Sequence, residues 1–324
     1  MREALFIKQS KKKWQAYEEA KINDPDELAA AFIAITDDLA YAKTFYPKST
    51  TTKYLNGLAA GFHQSIYKNK KEKTNRVIFF WRFELPLIFH KYRRQLLYSF
   101  VFFIIFTLMG VLSAKYDNNF VKLIMGNDYV NMTNANIAKG DPFGVYKQES
   151  SAIMFLMIAA NNVKVAIVFF VLGIFFSVGT LYVHLQNGVM MGSFQYYFFS
   201  KGLGLQSILV IWIHGTLEIS SFIIAGAAGL ILGNSLLFPK TYTRLESVKN
   251  GAKIGLKITI GIIPIILVAA FFESFVTRHT EMPVWLSVSI LALSLLFMIW
   301  YVVLYPALLN KNLKTIPYIN ETTR

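Results

Sequence analysis

The sequence predicts an all-α protein, a polytopic membrane helix bundle of five or six spans with an N-terminal soluble helical domain. Hydrophobic residues make up 54% of the 324 and charged residues only 16%, against about 25% charged in an average soluble domain. Apolar runs of the length that crosses about 30 Å of hydrocarbon recur in the sequence after residue 95 and not before it. The segment ahead of them is basic, with 18 Lys/Arg against 10 Asp/Glu over residues 1–94. A net charge of +14 prompts the question of a nucleic-acid partner. Long apolar runs separate the basic groups, so membrane attachment explains the charge better and no nucleic acid is expected. The absence of cysteine excludes a disulfide framework, a cysteine zinc site and a thiol nucleophile.

Residues 1–76 read as the soluble domain. Trp14 to Glu19 looks like part of an amphipathic helix. Asp24-Pro25-Asp26-Glu27 is a helix start, because acidic groups favour the positive end of the dipole and proline suits the first turn. Leu28, Phe32, Ile35 and Leu39 then recur at helical spacing and predict one buried face. Pro47 breaks that helix, Tyr54 to Tyr67 reads as the next, and Lys68 to Lys73 reads as a solvated linker. Residues 77–95 mix aromatic rings with Arg82, Lys91, Arg93 and Arg94, the composition of an amphipathic helix lying at the headgroup layer.

The bundle is expected over 96–306, with a tail at 307–324. Spans are predicted at 96–114, 163–185, 205–233, 255–276 and 284–305, with 188–200 as a shorter aromatic sixth and 151–160 too short to cross alone. Lys240, Arg244, Lys249 and Lys253 against Glu246 alone argue for a cytoplasmic loop at 234–254, as the basic N-terminus argues for its own side. Residues 115–150 balance their charges and fit the outer side. Six crossings put both termini in the cytoplasm; five do not.

Polar atoms inside the apolar half mark the candidate site. His214 and Glu218 stand at i, i+4 on one helix face, continued by Ser221, Ala225 and Gly229. A central carboxylate costs about 2.5–3.5 kcal/mol on an insertion scale, so something must satisfy it. Gly173, Ser177, Thr180, His184 and Gly188 form a second stripe. Gly188/Gly192 and Gly229/Gly233 add small-xxx-small pairs, and Gly226 belongs to the same small-residue surface. The two stripes are expected to pack together, with His214 paired to Glu218 in the interior. Gly215 could loosen the helix at 214–216, and 188–200 either crosses as a sixth span, the favoured reading, or is broken or re-entrant. Glu273 and Arg278 are expected as an ion pair at the membrane edge, and Pro264 as a kink. His184, His214, Glu218 and Glu273 could also gather as ligands or a proton relay; structural hydrogen bonding of the His214 group is favoured over a proton or substrate path, and either over a metal. No metal, other cofactor or catalytic residue is expected, since His-Glu-x-x-His, phosphate-cradling loops and Gly-x-Ser-x-Gly are absent.

Several motifs resemble the stage II sporulation protein M family of bacterial membrane proteins. They are Asn161-Asn162, Gly179-Thr180, Asn187-Gly188 with Gly192, and His214-Gly215-Thr216-Leu217-Glu218-Ile219-Ser220. Ile224 to Gly229, Phe238 to Arg244 and Glu273 to Arg278 extend the resemblance over about 150–305. Upstream, Trp14, Asp37-Asp38-Leu39-Ala40, Tyr46-Pro47 and Tyr54-Leu55-Asn56 are similar to the N-terminal extension of the longer, non-sporulation branch. The resemblance implies a multi-pass inner-membrane protein without enzymatic activity. It further implies partners of the MoxR-type AAA ATPase, von Willebrand A-domain and RDD-family kinds. The expected function is a scaffold or assembly factor for an envelope-associated complex; the alternative is a transporter, channel or lipid-handling protein using His214 and Glu218.

Overall fold

The computed structural model describes residues 3–314 apart from 20, 21, 23, 68–75, 118, 148, 149, 280 and 281. The described residues form helices and no strand, and they divide into two units, Met1–Arg76 and Val77–Arg324. The predicted linker at Lys68 to Lys73 and the last ten residues of the tail lie outside the described residues.

The first unit holds α1 (Glu3–Glu19), α2 (Pro25–Phe45) and α3 (Thr50–Tyr67). Asp24 caps α2 by accepting from the Asp26 amide at 3.0 Å. Ile35 and Leu39 are buried with Phe6, Trp14, Leu55 and Phe62, whereas Leu28 and Phe32 reach that core only partly. Trp14 donates its indole N–H to Asp38 at 2.7 Å and Lys13 pairs with the same carboxylate, which fastens α1 to α2. The Ser49 and Thr51 hydroxyls donate to Glu3 and hold its carboxyl below the usual carboxylate value. Burial, then the bond to Glu18, pushes the Tyr54 phenol up to about 12.

The second unit begins with α4 (Arg76–Phe79), a π turn (Phe80–Glu84) and α5 (Leu85–Lys91). Leu85 and Phe89 are buried, Trp81 donates to the Gly261 carbonyl at 2.9 Å, and Lys257 pairs with Glu84. Val77, Ile78 and Phe79 remain exposed. Tyr92 interrupts the helix before α6 (Arg93–Tyr116). Short helices α7 (Phe120–Met125) and α8 (Asn127–Ala138) then lead to α9 (Ser151–Val171), which ends in a 3-10 turn (Leu172–Ile174). Next come α10 (Val178–Ser200), α11 (Gly204–Leu237) and α12 (Arg244–Phe271), the last extended by a π turn (Phe272–Val276). Finally α13 (Val284–Ile299) passes through another π turn (Trp300–Leu304) into α14 (Tyr305–Lys314).

Five of these stretches are long and apolar enough to cross a bilayer: Arg93–Tyr116, Ser151–Ile174, Gly204–Leu237, Arg244–Val276 and Val284–Leu313. The span expected at 163–185 is corrected. A chain reversal cuts it, because Phe176 and Ser177 adopt left-handed backbone at φ 53° and 67°. Phenylalanines at 175 and 176 keep the hydropathy high straight through that turn, so the apolar run conceals it. Residues 151–160, expected to be too short, are the first half of the real span.

The packing also shows how α10 runs. Residues Phe169 and Gly173 lie against Gly229, and Gly173 lies against Gly233, so α9 and α11 run parallel. They are joined only through α10 and two tight turns. Two parallel spans need a return crossing between them, and the 23 residues of α10 reach about 35 Å. The described residues therefore make six passes. Consistent with an even count, Tyr305 donates to the Arg82 carbonyl at 2.8 Å, bringing the start and end of the bundle to one side. The helices α10 and α11 are continuous through 188–200 and 214–216, which removes the broken or re-entrant alternative; Gly215 sits inside unbroken helix.

Candidate functional site

Small residues build the centre of the bundle before any charged group enters it. A Cβ at Gly173 would strike the Gly229 backbone, one at Gly229 the Thr180 hydroxyl and Phe169 carbonyl, and one at Gly233 Ser177 and Gly173. A Cβ at Gly226 would fall on the His184 ring and Ser99. Close approach of α11 to α10 and to the turn that ends α9 therefore requires glycine at these positions. Gly188 and Gly192 face elsewhere: they meet Phe106, Thr107 and Val111 on α6. The two stripes thus pack together as expected, at the 226–233 end of α11 and away from His214 and Glu218.

His184 belongs to this packing. Its Nε2 is hydrogen bonded to Ser99 Oγ at 2.9 Å, and Ser99 also donates to the Ile223 carbonyl at 2.5 Å. The imidazole lies edge-on to Phe169, centroids 4.8 Å apart. Ser99 so ties α6 to both α10 and α11. Ser221 donates to its own Leu217 carbonyl at 2.8 Å. Neither residue joins a centre with His214.

His214 gathers a different set. Its ring is 4% exposed, with Nδ1 hydrogen bonded to Thr277 Oγ1 at 2.9 Å and Nε2 3.9 Å from Glu273 Oε1. Glu218 completes the group, whose ligand-capable atoms all lie within 4.8 Å of one another. Asn162 of α9 approaches Glu218. It is 4% exposed, and its amide nitrogen stops short of any hydrogen bond. Three spans thus meet at one polar centre.

The local backbone explains how Glu273 arrives there. Its segment is the π turn Phe272–Val276, closed by Thr277 N–H to the Phe272 carbonyl at 2.8 Å. One extra residue per turn re-aims a side chain relative to an α-helix. Arg278 meets the Ser151 hydroxyl at the start of α9. Beside Thr277, a cavity of about 170 Å³ is lined by Val210, Ile213, His279 and Met282 among others. Sequence reasoning singled out Glu273 but assigned it to Arg278, and it missed Thr277 and Asn162 as members of the centre. Only the Asn161-Asn162 motif hinted at the latter.

A helical bundle of six passes with an intramembrane His/Glu/Glu centre and a separate three-helix unit defines a polytopic membrane protein. Stage II sporulation protein M is the family description that matches residues 99–278, more than half of the 324. The chain belongs to that family. Residues 4–68 match a domain of unknown function (DUF8413). No curated protein and no solved structure matches the chain.

Proposed function

We propose that the protein is a multi-pass scaffold or assembly factor of the bacterial inner membrane, without catalytic activity. In this reading residues 1–76 and both ends of the bundle face the cytoplasm. The observation that carries it is the division of labour: a bundle whose α9, α10 and α11 are held by glycine contact at Gly173, Gly229 and Gly233 where α9 turns into α10, plus a separate helical unit with its own core. Lys240, Arg244, Lys249 and Lys253 support the cytoplasmic side for the α11–α12 loop. By family resemblance the partners would be a MoxR-type AAA ATPase and membrane proteins of the RDD or von Willebrand A-domain kind. Affinity purification from native membranes tests this. The full chain should bring down the ATPase and residues 77–324 should not; an unchanged partner set without residues 1–76 would sink the recruitment role.

A second reading, a transporter, channel or lipid-handling protein, is favoured by one observation. Intramembrane ionisable residues mark functional pathways by default, and His214, Glu218 and Glu273 lie together near the cavity beside Thr277.

A further inference from the structure

We propose that His214, Glu218 and Glu273 bind one divalent first-row metal ion within the bundle, with Asn162 as a fourth neighbour. This goes beyond the scaffold reading and reverses the expectation of a metal-free protein.

Charge comes first. Two carboxylates within 4.8 Å of each other repel in a low-dielectric span, and either a shared proton or bound positive charge relieves that repulsion. A divalent ion between Glu218 and Glu273 brings the pair to neutrality. Geometry comes second. The 3.9 Å from His214 Nε2 to Glu273 is too long for a hydrogen bond. Two ligands each about 2.1 Å from one ion stand about 3.4 Å apart at the tetrahedral angle and about 4.2 Å when opposite. Contraction of the widest pair by up to about 1.4 Å brings all three donors onto a common tetrahedral ion. The Nδ1 bond to Thr277 fixes the ring so that Nε2 faces Glu273, the outer-shell arrangement that orients metal-ligating histidines.

Asn162 supplies the independent observation. A 4% exposed amide approaches Glu218 while its nitrogen makes no hydrogen bond of good geometry, which leaves a buried donor imperfectly satisfied beside the cluster. Turned about its last torsion, it offers Oδ1 to the same centre. One imidazole with two carboxylates and an amide oxygen suits Zn²⁺ or Mn²⁺ rather than the soft ions that thiolates select. The 170 Å³ cavity is lined by Ile213 and by Thr277, the hydrogen-bond partner of His214. Bound at the cluster, the ion would staple α9, α11 and α12 together.

The test uses untagged full-length protein in detergent, stripped with chelator and titrated separately with Zn²⁺ and Mn²⁺. Metal content is measured after gel filtration. About one ion per chain is expected, with affinity lowered at least about 100-fold in Glu218→Gln and in Glu273→Gln. His279→Asn and Glu246→Gln, an exposed histidine near the cavity and an exposed acid elsewhere on α12, should bind as the wild type does. Should either glutamine variant fail to fold, Co²⁺ added to the wild type serves instead, and visible absorption from a low-symmetry site is expected. Less than a tenth of an ion per chain, as a rough threshold, overturns the proposal. So does a Co²⁺-treated wild type without such absorption, or binding that survives Glu218→Gln and disappears in His279→Asn.

Discussion

Replacing Gly229 by alanine probes a close helix contact in the bundle. The new methyl would fall on the Thr180 hydroxyl and the Phe169 carbonyl, and the second of these is backbone that cannot swing aside. Forcing a well-packed interface apart costs about 1–3 kcal/mol. The Thr180 to Phe169 hydrogen bond at 2.9 Å would be displaced as well, a loss of about 1 kcal/mol. Against this, alanine gains about 1 kcal/mol in helix propensity. The net expectation is a destabilisation of about 1–3 kcal/mol. Gly215→Ala is the matched control: its Cβ would meet nothing within 4 Å, so only the propensity gain remains and the variant should be slightly more stable. Thermal unfolding of both proteins in the same detergent decides the matter. If Gly229→Ala melts with Gly215→Ala, close packing through glycine does not hold this bundle together.

Further outcomes follow from other parts of the chain. Since the sequence has no cysteine, single cysteines at Lys139, Lys249 and Lys311 can be labelled with an impermeant maleimide; the first should react in intact cells and the other two only after lysis. Lys311 reacting from outside would contradict six passes. Ser99→Ala removes the partner of the buried His184 ring, so unfolding in detergent should show a loss of about 1–3 kcal/mol; a neutral result would remove Ser99 as the tie between α6, α10 and α11. The Glu3 carboxyl titrates below its ordinary 4.5 in the folded chain. Its bonds therefore contribute stability above the unfolded value that is lost as pH falls through the folded one. Melting of the N-terminal unit should fall more steeply on acidification below about pH 4.5 in the wild type than in Glu3→Gln; parallel slopes would discount those bonds.

The spans that are uniformly apolar were legible, because hydropathy alone reports them. The reversal at Phe175 to Ser177 was not, since Phe175 and the left-handed Phe176 carry aromatic side chains that read as continued span. The α10 segment was underestimated for the opposite reason: His184, Gln186, Asn187 and Gln195 lower its hydropathy although it packs along α6 and α11. The polar centre was half legible. The i, i+4 spacing placed His214 and Glu218 on one face, but the residues that complete the centre come from α9 and from the π turn after α12. Asn162 and Glu273 lie more than fifty residues from His214 in sequence, and a one-residue bulge in a helix has no signature in hydropathy. The small-residue stripes were visible as patterns, whereas the partner that each glycine meets depended on where the chain turned.

The central claim, a platform rather than a conduit, is tested most directly by Glu218→Gln, which removes charge and scarcely changes shape. Folding is read by gel filtration and partner retention by affinity purification from native membranes, alongside growth of cells carrying only the variant. Because glycine packing holds the bundle, the account predicts a folded protein that keeps its partners and supports growth as the wild type does, even with its metal affinity lowered. A folded Glu218→Gln protein that retains every partner and yet fails to support growth would contradict it, and would make the His214, Glu218, Glu273 centre the working part of a transport path.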